Sequence, residues 1–370
     1  MTSRSPVAKH EPILVVGAGV FGLSLALELK KRGYQDVTVL DRYMPPVVDG
    51  SSVDISRVIR VDYGDQLYGS MAREAHEGWT TEYQDHYHST GFVMLSNKGG
   101  NSYMEKILKV SEALGQRLDE YADASQILDR FPCVQANLEG LKACINNQGG
   151  WADAAASIHQ LARQCSHAGV SFITGPRGLV RSLRYQGKRV VGVNVARGGP
   201  ILASQVILCT GAWSNRLLPL SHASTASGQP VGFIQLTEEE AETLRGMPVM
   251  INLSTGVFCF PPTPHSNILK VARHGYGFAT EVSVDEGDGA RPRTVSSPKR
   301  DTDNASASYL PDDADQALRD GLRQLVPKFA DRPWMNRRLC WYSDTPEGDF
   351  VADHHPQIDG LFVAFGGAGQ

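Results

Sequence analysis

The hydrophobic positions change period along the chain, and those changes mark its elements. Ile13–Val16 is a short continuous apolar run, the pattern of a strand buried on both faces of a parallel sheet. Leu23-Ser-Leu-Ala-Leu-Glu-Leu then carries a helical stripe as far as Gly33, and Val37–Leu40 is a second apolar run. Between strand and helix lies Gly17-Ala18-Gly19-Val20-Phe21-Gly22, and Asp41 closes the second strand 19 residues after Gly22. Strand, glycine turn, helix, strand and terminal acid in this register predict dinucleotide binding. Gly17 and Gly19 turn the chain and let its backbone approach a pyrophosphate at the helix N-terminus. Gly22 lets helix and strand pack closely, and Asp41 accepts hydrogen bonds from an adenosine ribose.

Further along, residues 67–87 read as one helix with Met71, Ala75 and Trp79 on a stripe, and residues 90–95 as a strand. Residues 122–131 predict a polar helix ending before Pro132, residues 143–145 a strand, and residues 153–165 an amphipathic helix. Glycine-punctuated runs at 170–174, 183–185, 190–195 and 201–202 predict a small β-meander. It feeds the apolar run 206–213, whose end, Thr210-Gly-Ala-Trp213, returns the chain to the first sheet near the nucleotide. Beyond Pro230 the runs 231–236, 249–251, 257–260 and 268–272 suit an antiparallel sheet that walls a pocket. Residues 285–308 read as a surface loop, and 312–325 as a helix with Ala317, Leu318, Leu322 and Leu325 on one stripe.

Composition narrows the class. A chain of 370 residues predicts two lobes rather than one core. Net charge of −4 without a concentrated basic face gives no nucleic-acid partner, and no apolar run approaches a membrane span. The polar residues 1–11 are not expected to form a secretory signal. Six cysteines, Cys133, Cys144, Cys165, Cys209, Cys259 and Cys340, lack CxxC spacing or histidine neighbours. Free thiols, no metal and an intracellular setting, cytoplasmic or peroxisomal, are therefore expected. His86 and His88 have no third ligand nearby and read as structural.

After Asp41 and Arg42 the chain does not repeat the βαβ unit of a nicotinamide dehydrogenase. It runs through prolines to Ser51 and Ser52 and then to Arg57 and Arg60. At i, i+3 on a helix these two guanidinium groups share a face, suited to a phosphate or flavin and to a substrate carboxylate.

Those arginines, Gly50-Ser-Ser-Val-Asp-Ile-Ser-Arg-Val-Ile-Arg60, Thr210 to Trp213, Lys270, Arg338-Leu-Cys-Trp-Tyr-Ser-Asp-Thr-Pro346 and His355-Pro356 resemble the monomeric sarcosine oxidase and fructosyl amino acid oxidase (amadoriase) family, on its fungal amadoriase and saccharopine oxidase side. The resemblance runs through nearly the whole chain. It implies an α/β (α+β) fold, with a Rossmann-like FAD-binding domain over 1–90, 150–229 and 331–370 and an antiparallel-sheet substrate domain over 91–149 and 230–330. It implies a monomer that oxidises a secondary amine with oxygen as acceptor, giving an imine and hydrogen peroxide. FAD is expected to contact Gly17, Ala18, Gly19, Val20, Phe21, Gly22, Asp41, Arg42, Ser51, Ser52, Arg57, Thr210, Gly211 and Trp213, and to be bonded covalently through Cys340, near the charges of Arg337 and Arg338. Arg60 is expected to hold the substrate carboxylate and Lys270 to serve oxygen reduction. By itself, a strand lysine among apolar neighbours reads as solvated. The family continues past Phe365-Gly-Gly through a Gly-His-Gly-Phe-Lys type segment whose lysine also binds the carboxylate, whereas this sequence stops at Gln370. A nicotinamide-dependent dehydrogenase and a catalytically inactive flavin-binding protein are the alternatives.

Overall fold

A strand without a polar face has nothing to offer water, and Ile13–Val16 accordingly lies inside a six-stranded sheet. The computed structural model describes residues 7–220, 222–285, 291–298 and 310–369. Ile13–Val16 pairs in parallel with Val37–Leu40 on one side and Gln205–Leu208 on the other. Ser171–Ile173 and Leu361–Phe365 extend the sheet in parallel, and Val351–His354 closes one edge antiparallel. Side chains alternate across it. Ile13 and Val15 pack with Leu23 and Ala26 of the helix Val20–Lys31 and with Ile158 and Leu161 of the helix Ala154–His167. Leu14 and Val16 face the meander, which is the three antiparallel strands Val180–Gln186, Arg189–Val195 and Ile201–Leu202; the run 170–174 expected to open it instead gives Ser171–Ile173, a parallel strand of the first sheet. With both faces covered, the sheet tolerates continuous apolar strands.

The second sheet has eight strands, in the order Asn336–Asp344, Thr225–Gln235, Ile268–Arg273, Val257–Cys259, Val249–Asn252, Phe92–Asn97, Leu141–Asn146 and Asp119–Tyr121. It is antiparallel except where Val249–Asn252 runs parallel to Phe92–Asn97. Its period-2 pattern separates two environments. Val93, Leu95, Leu269 and Val271 face the helix Asp312–Leu325, which lays Ala314, Leu318, Leu322 and Leu325 on the sheet. Phe92 and Met94 face the other way, toward Trp151 and Phe260. Thr225–Gln235 runs across residues 229 and 230, where the sequence suggests a boundary. Asn336–Asp344, read there with the nucleotide lobe, is the edge strand of this sheet beside it.

Three local expectations are corrected. The helix expected over 67–87 is Gln66–Thr80, followed by a 3-10 turn and the short strand Tyr87–His88. Met71 and Ala75 on its expected stripe are exposed, and its buried residue is Gly69. Thr80 and Thr81 hydroxyls donate back to the Glu77 carbonyl, competing with continuation of the helix. Arg57 and Arg60 are not on a helix: Arg57–Ile59 is a strand paired with Gly150–Ala152. The β-branched run Val58-Ile59 favours extended chain, and Arg60 lies just past the end of that strand. The loop expected over 285–308 includes the strand Arg293–Ser296, hairpinned with Glu281–Val284. Residues 286–290 and 299–309 lie outside the described residues.

The close seat of the helix Asp312–Leu325 depends on Gly321. A Cβ there would lie 2.2, 2.8 and 3.1 Å from three side-chain atoms of Val257, so rotation cannot clear it. Gly to Ala in a helix gains about 1 kcal/mol of propensity, but overpacking costs roughly 1–3 kcal/mol. Gly321→Ala is therefore expected to destabilise the protein in urea unfolding, and Val257→Ala added to it should recover stability. A stabilised single variant would show that the helix can lift off the sheet freely.

Candidate active site

The nucleotide turn is built where the carboxyl ends of the parallel strands meet. Gly17 has φ +108°, and a Cβ on it would lie 2.4 Å from the Cys209 carbonyl oxygen; one on Gly22 would lie 1.9 Å from the Gly17 oxygen. Both contacts are with backbone and cannot yield. Gly19 differs: its Cβ would meet only the Ser52 side chain, at 2.9 Å to Oγ. Gly19 is the N-cap of the helix and offers no side-chain cap; instead the Val20 N–H donates to Ser52 Oγ at 2.9 Å. Asp41 accepts from the Ala18 N–H at 2.7 Å and from the Arg42 N–H at 2.6 Å. Burial pushes its carboxyl up, against those two donors.

Arg42 stands beside this turn. Its Nη2 donates to Asp49 at 2.7 Å and its guanidinium lies 4.3 Å from the Trp213 ring centroid. Its Nη1 is buried with no hydrogen-bond partner. A leftover buried donor beside an uncapped helix start fits an anionic, nucleotide-like ligand. Thr210 shares a hydrogen bond with Ser214 at 2.9 Å, and Gly211, at φ +49°, opens the 3-10 turn Gly211–Arg216 that carries Trp213.

Where the strand Arg57–Ile59 meets the eight-stranded sheet, a cluster of charges is gathered on one oxygen. Asp54 is buried, and its Oδ2 accepts from Arg57 Nη1, lies 3.0 Å from Lys270 Nζ and 3.2 Å from Arg338 Nη2. Burial alone would raise the Asp54 carboxyl, but the three cations hold it well below the usual carboxylate range. Lys270 is 1% exposed, so the solvated reading fails. It shares the inward side of its strand with Ala272, donates to the Ser56 carbonyl at 2.5 Å and lies 4.6 Å from the Phe260 ring centroid. Burial pushes it down to about 8, Asp54 opposing and Arg57 adding to the shift.

Arg57 joins this cluster to Cys340, its Nη2 donating to Sγ at 3.2 Å and to the Ser51 carbonyl at 2.8 Å. Ser51 in turn donates to the Trp341 carbonyl at 2.5 Å. The two arginines expected beside Cys340 divide. Arg338 reaches Asp54, but Arg337 lies on the other side of the strand and pairs with Asp315 at 2.6 Å, as alternation requires.

Arg60 sits further along the same wall. Its Nη1 donates to the Asp62 carbonyl at 2.7 Å, its Nη2 to the Tyr103 hydroxyl at 3.3 Å, and its guanidinium stacks 4.1 Å from the Tyr63 ring centroid. His274 and Tyr342 lie 3.3 Å apart, His274 Nδ1 to the Tyr342 hydroxyl. Burial, with Arg60 adding, lowers His274, and burial chiefly raises Tyr342. The strands thus bring Arg57, Lys270 and Cys340 together with Arg60 near Tyr342, and Ser51 and Ser52 link this region to the turn of Gly17, Gly19 and Gly22, beside Asp41, Arg42 and Trp213. Sequence reasoning passed over Asp54, His274 and Tyr342. Asp54 and Tyr342 lie inside quoted motifs, whereas His274 carries no local signal. His86 and His88 are structural in their contacts: His86 bonds Gln160 at 3.0 Å and His88 stacks 4.0 Å from Trp151. Among the described residues no group of three potential metal ligands gathers, and no helix is long and apolar enough to cross a membrane.

The chain is 31% identical over 378 residues to L-saccharopine oxidase of Schizosaccharomyces pombe, covering 97% of this chain and 86% of that protein. It is 24% identical to monomeric sarcosine oxidase of a Bacillus species, over 98% of this chain and 89% of that protein. The crystal structure of Amadoriase I from Aspergillus fumigatus superimposes with a TM-score of 0.85 at 27% identity, over 99% of this chain and 84% of that one. A family model described as FAD dependent oxidoreductase matches residues 12–370, and with these likenesses it replaces the nicotinamide alternative: the chain belongs to the FAD-dependent oxidoreductase family.

Proposed function

We propose that this protein oxidises the C–N bond of a secondary amine carrying a carboxylate, such as a fructosyl amino acid, saccharopine or an N-methyl amino acid, acting as a monomer. The observation that carries the reading is the buried Lys270 ammonium held on the same wall as Arg57 and Cys340. FAD, when bound, accepts two electrons from the amine and passes them to oxygen, yielding an imine and hydrogen peroxide. The backbone from Gly17 to Gly22 and the Arg42 donor hold its pyrophosphate side, Asp41 its ribose, and Ser51, Ser52, Thr210, Gly211 and Trp213 line its path. Arg57 presents Cys340 for covalent attachment. Arg60 holds the substrate carboxylate, a charge-assisted pair worth roughly 1.5–3 kcal/mol. His274, kept neutral by burial and by Arg60, adds no further positive charge beside the amine. Lys270 stabilises the negative charge that appears on oxygen.

The reaction class is tested by mixing the purified protein anaerobically with these amines. Bleaching of the flavin, then peroxide on admitting air, is expected; a flavin that none of them bleaches supports the inactive flavin-binding alternative.

Gly19→Val should fold, because an added Cβ meets only the side chain of Ser52, yet purify without flavin. Gly22→Val should fail to fold, its Cβ directed into backbone. Full flavin in the Gly19 variant would misplace the pyrophosphate.

For attachment, acid precipitation should leave flavin in the pellet for the parent and release it for Cys340→Ser. Flavin released from both would remove the covalent bond from the reading.

Lys270→Met should leave flavin reduction by the amine intact and slow reoxidation by orders of magnitude in stopped flow, each tenfold corresponding to about 1.4 kcal/mol of barrier. In the parent the ammonium is present below about 8 and lost above it, so the reoxidation rate should fall as pH rises through that value. Equal slowing of both half-reactions in the variant would overturn the assignment.

A further inference from the structure

Lys270 cannot keep a charge in its position without help. It is 1% exposed, on a strand whose neighbouring residues Leu269 and Val271 belong to the hydrophobic core. An isolated ammonium there would shed its proton rather than bear the desolvation cost. The charged and titratable groups facing it are Asp54 and Arg57 from the first wall and Cys340 from the neighbouring sheet edge. Arg338 reaches it through Asp54. Of these, Asp54 alone is a carboxylate, and one oxygen of it serves Lys270, Arg57 and Arg338 together. Its other oxygen accepts from the Ile55 N–H at 2.8 Å, and its carbonyl accepts from the Ala155 N–H at 3.0 Å, which anchors the carboxylate from behind.

We propose that Asp54 is a positioning residue of the oxygen-reacting site, holding Lys270 in place and charged, and that Arg338 sets how much of that carboxylate Lys270 receives. The inference rests on the reading that Lys270 serves the oxygen step. Asp54 acts through Lys270 and touches no reacting atom. Arg57 is bound to the same oxygen, so the groups on the oxygen side and on the Cys340 side share one counterion. Burial is the main reason that a paired lysine is still lowered to about 8, and Arg57, a second cation on the same carboxylate, adds to it. Removing the anion lowers Lys270 further; removing Arg338, a competing cation, raises it.

The test is the pH dependence of flavin reoxidation in stopped flow, using the holoprotein and its variants. Asp54→Asn keeps shape and removes charge. Loss of an opposite charge at this range moves a pKa by roughly 1–3 units, so the midpoint above which reoxidation falls should drop by at least about one unit and the rate at pH 8 by at least about fivefold. Arg338→Met alone should move the midpoint up, and Asp54→Asn with Arg338→Met should bring it back toward the parent. Thermal unfolding gives a second readout. The Tm deficit of Asp54→Asn should be widest at low pH, where Lys270 is charged without a partner, and should narrow as pH rises and the ammonium is lost. An unmoved midpoint in Asp54→Asn, or no recovery in the double variant, overturns the inference. If Asp54→Asn does not fold, an unmoved midpoint in Arg338→Met does the same. Reoxidation that Lys270→Met leaves unchanged fails the parent reading instead, so the two failures are distinguishable.

Discussion

One carboxylate oxygen holds the site together. Taking Lys270 and parts of two arginines out of water carries a penalty of several kcal/mol per ion unless geometry and counter-charge offset it. Asp54 Oδ2 supplies that counter-charge to three cations drawn from three segments: Arg57 beside it, Lys270 on Ile268–Arg273 and Arg338 on Asn336–Asp344. Each of those strands also commits its other face to a hydrophobic or ionic partner, Leu269 and Val271 to the helix Asp312–Leu325 and Arg337 to Asp315. The strands cannot slip by one residue without burying an unpaired charge, so the ion cluster and the core fix the same register.

The nucleotide end follows a different constraint, the space between backbones. Gly17 and Gly22 are required by the protein's own packing against the Cys209 and Gly17 carbonyls, whereas Gly19 leaves open space bounded by a serine side chain. Three glycines of one motif thus separate into two that close the turn and one that keeps its outer side clear. The buried unpartnered Nη1 of Arg42 lies at the same end. Ser51 and Ser52 connect this turn to the second sheet, one through Trp341 and one through Val20, so nucleotide turn and charge cluster are held by adjacent residues.

The sequence by itself determined what local patterns encode: the parallel strands, the glycine turn with Asp41, the meander, the helix Asp312–Leu325 and, through motifs spread along the chain, the family. These were legible because burial on both faces leaves a continuous apolar run, and burial on one leaves a period. The tertiary structure alone decided how side chains from distant segments meet. A strand lysine between apolar residues has the same letters whether it points to water or to Asp54, and only the pairing of Ile268–Arg273 with Thr225–Gln235 settles the direction. Arg57 and Arg60 at i, i+3 suggested a shared helical face, but pairing of Arg57–Ile59 with Gly150–Ala152 made the segment extended. Arg337 and Arg338 look alike in sequence and part company because a strand alternates. His274 met Tyr342 across two strands that no local signal joins. Non-local pairing has no period to read, and for that reason the charge cluster had to be found in three dimensions.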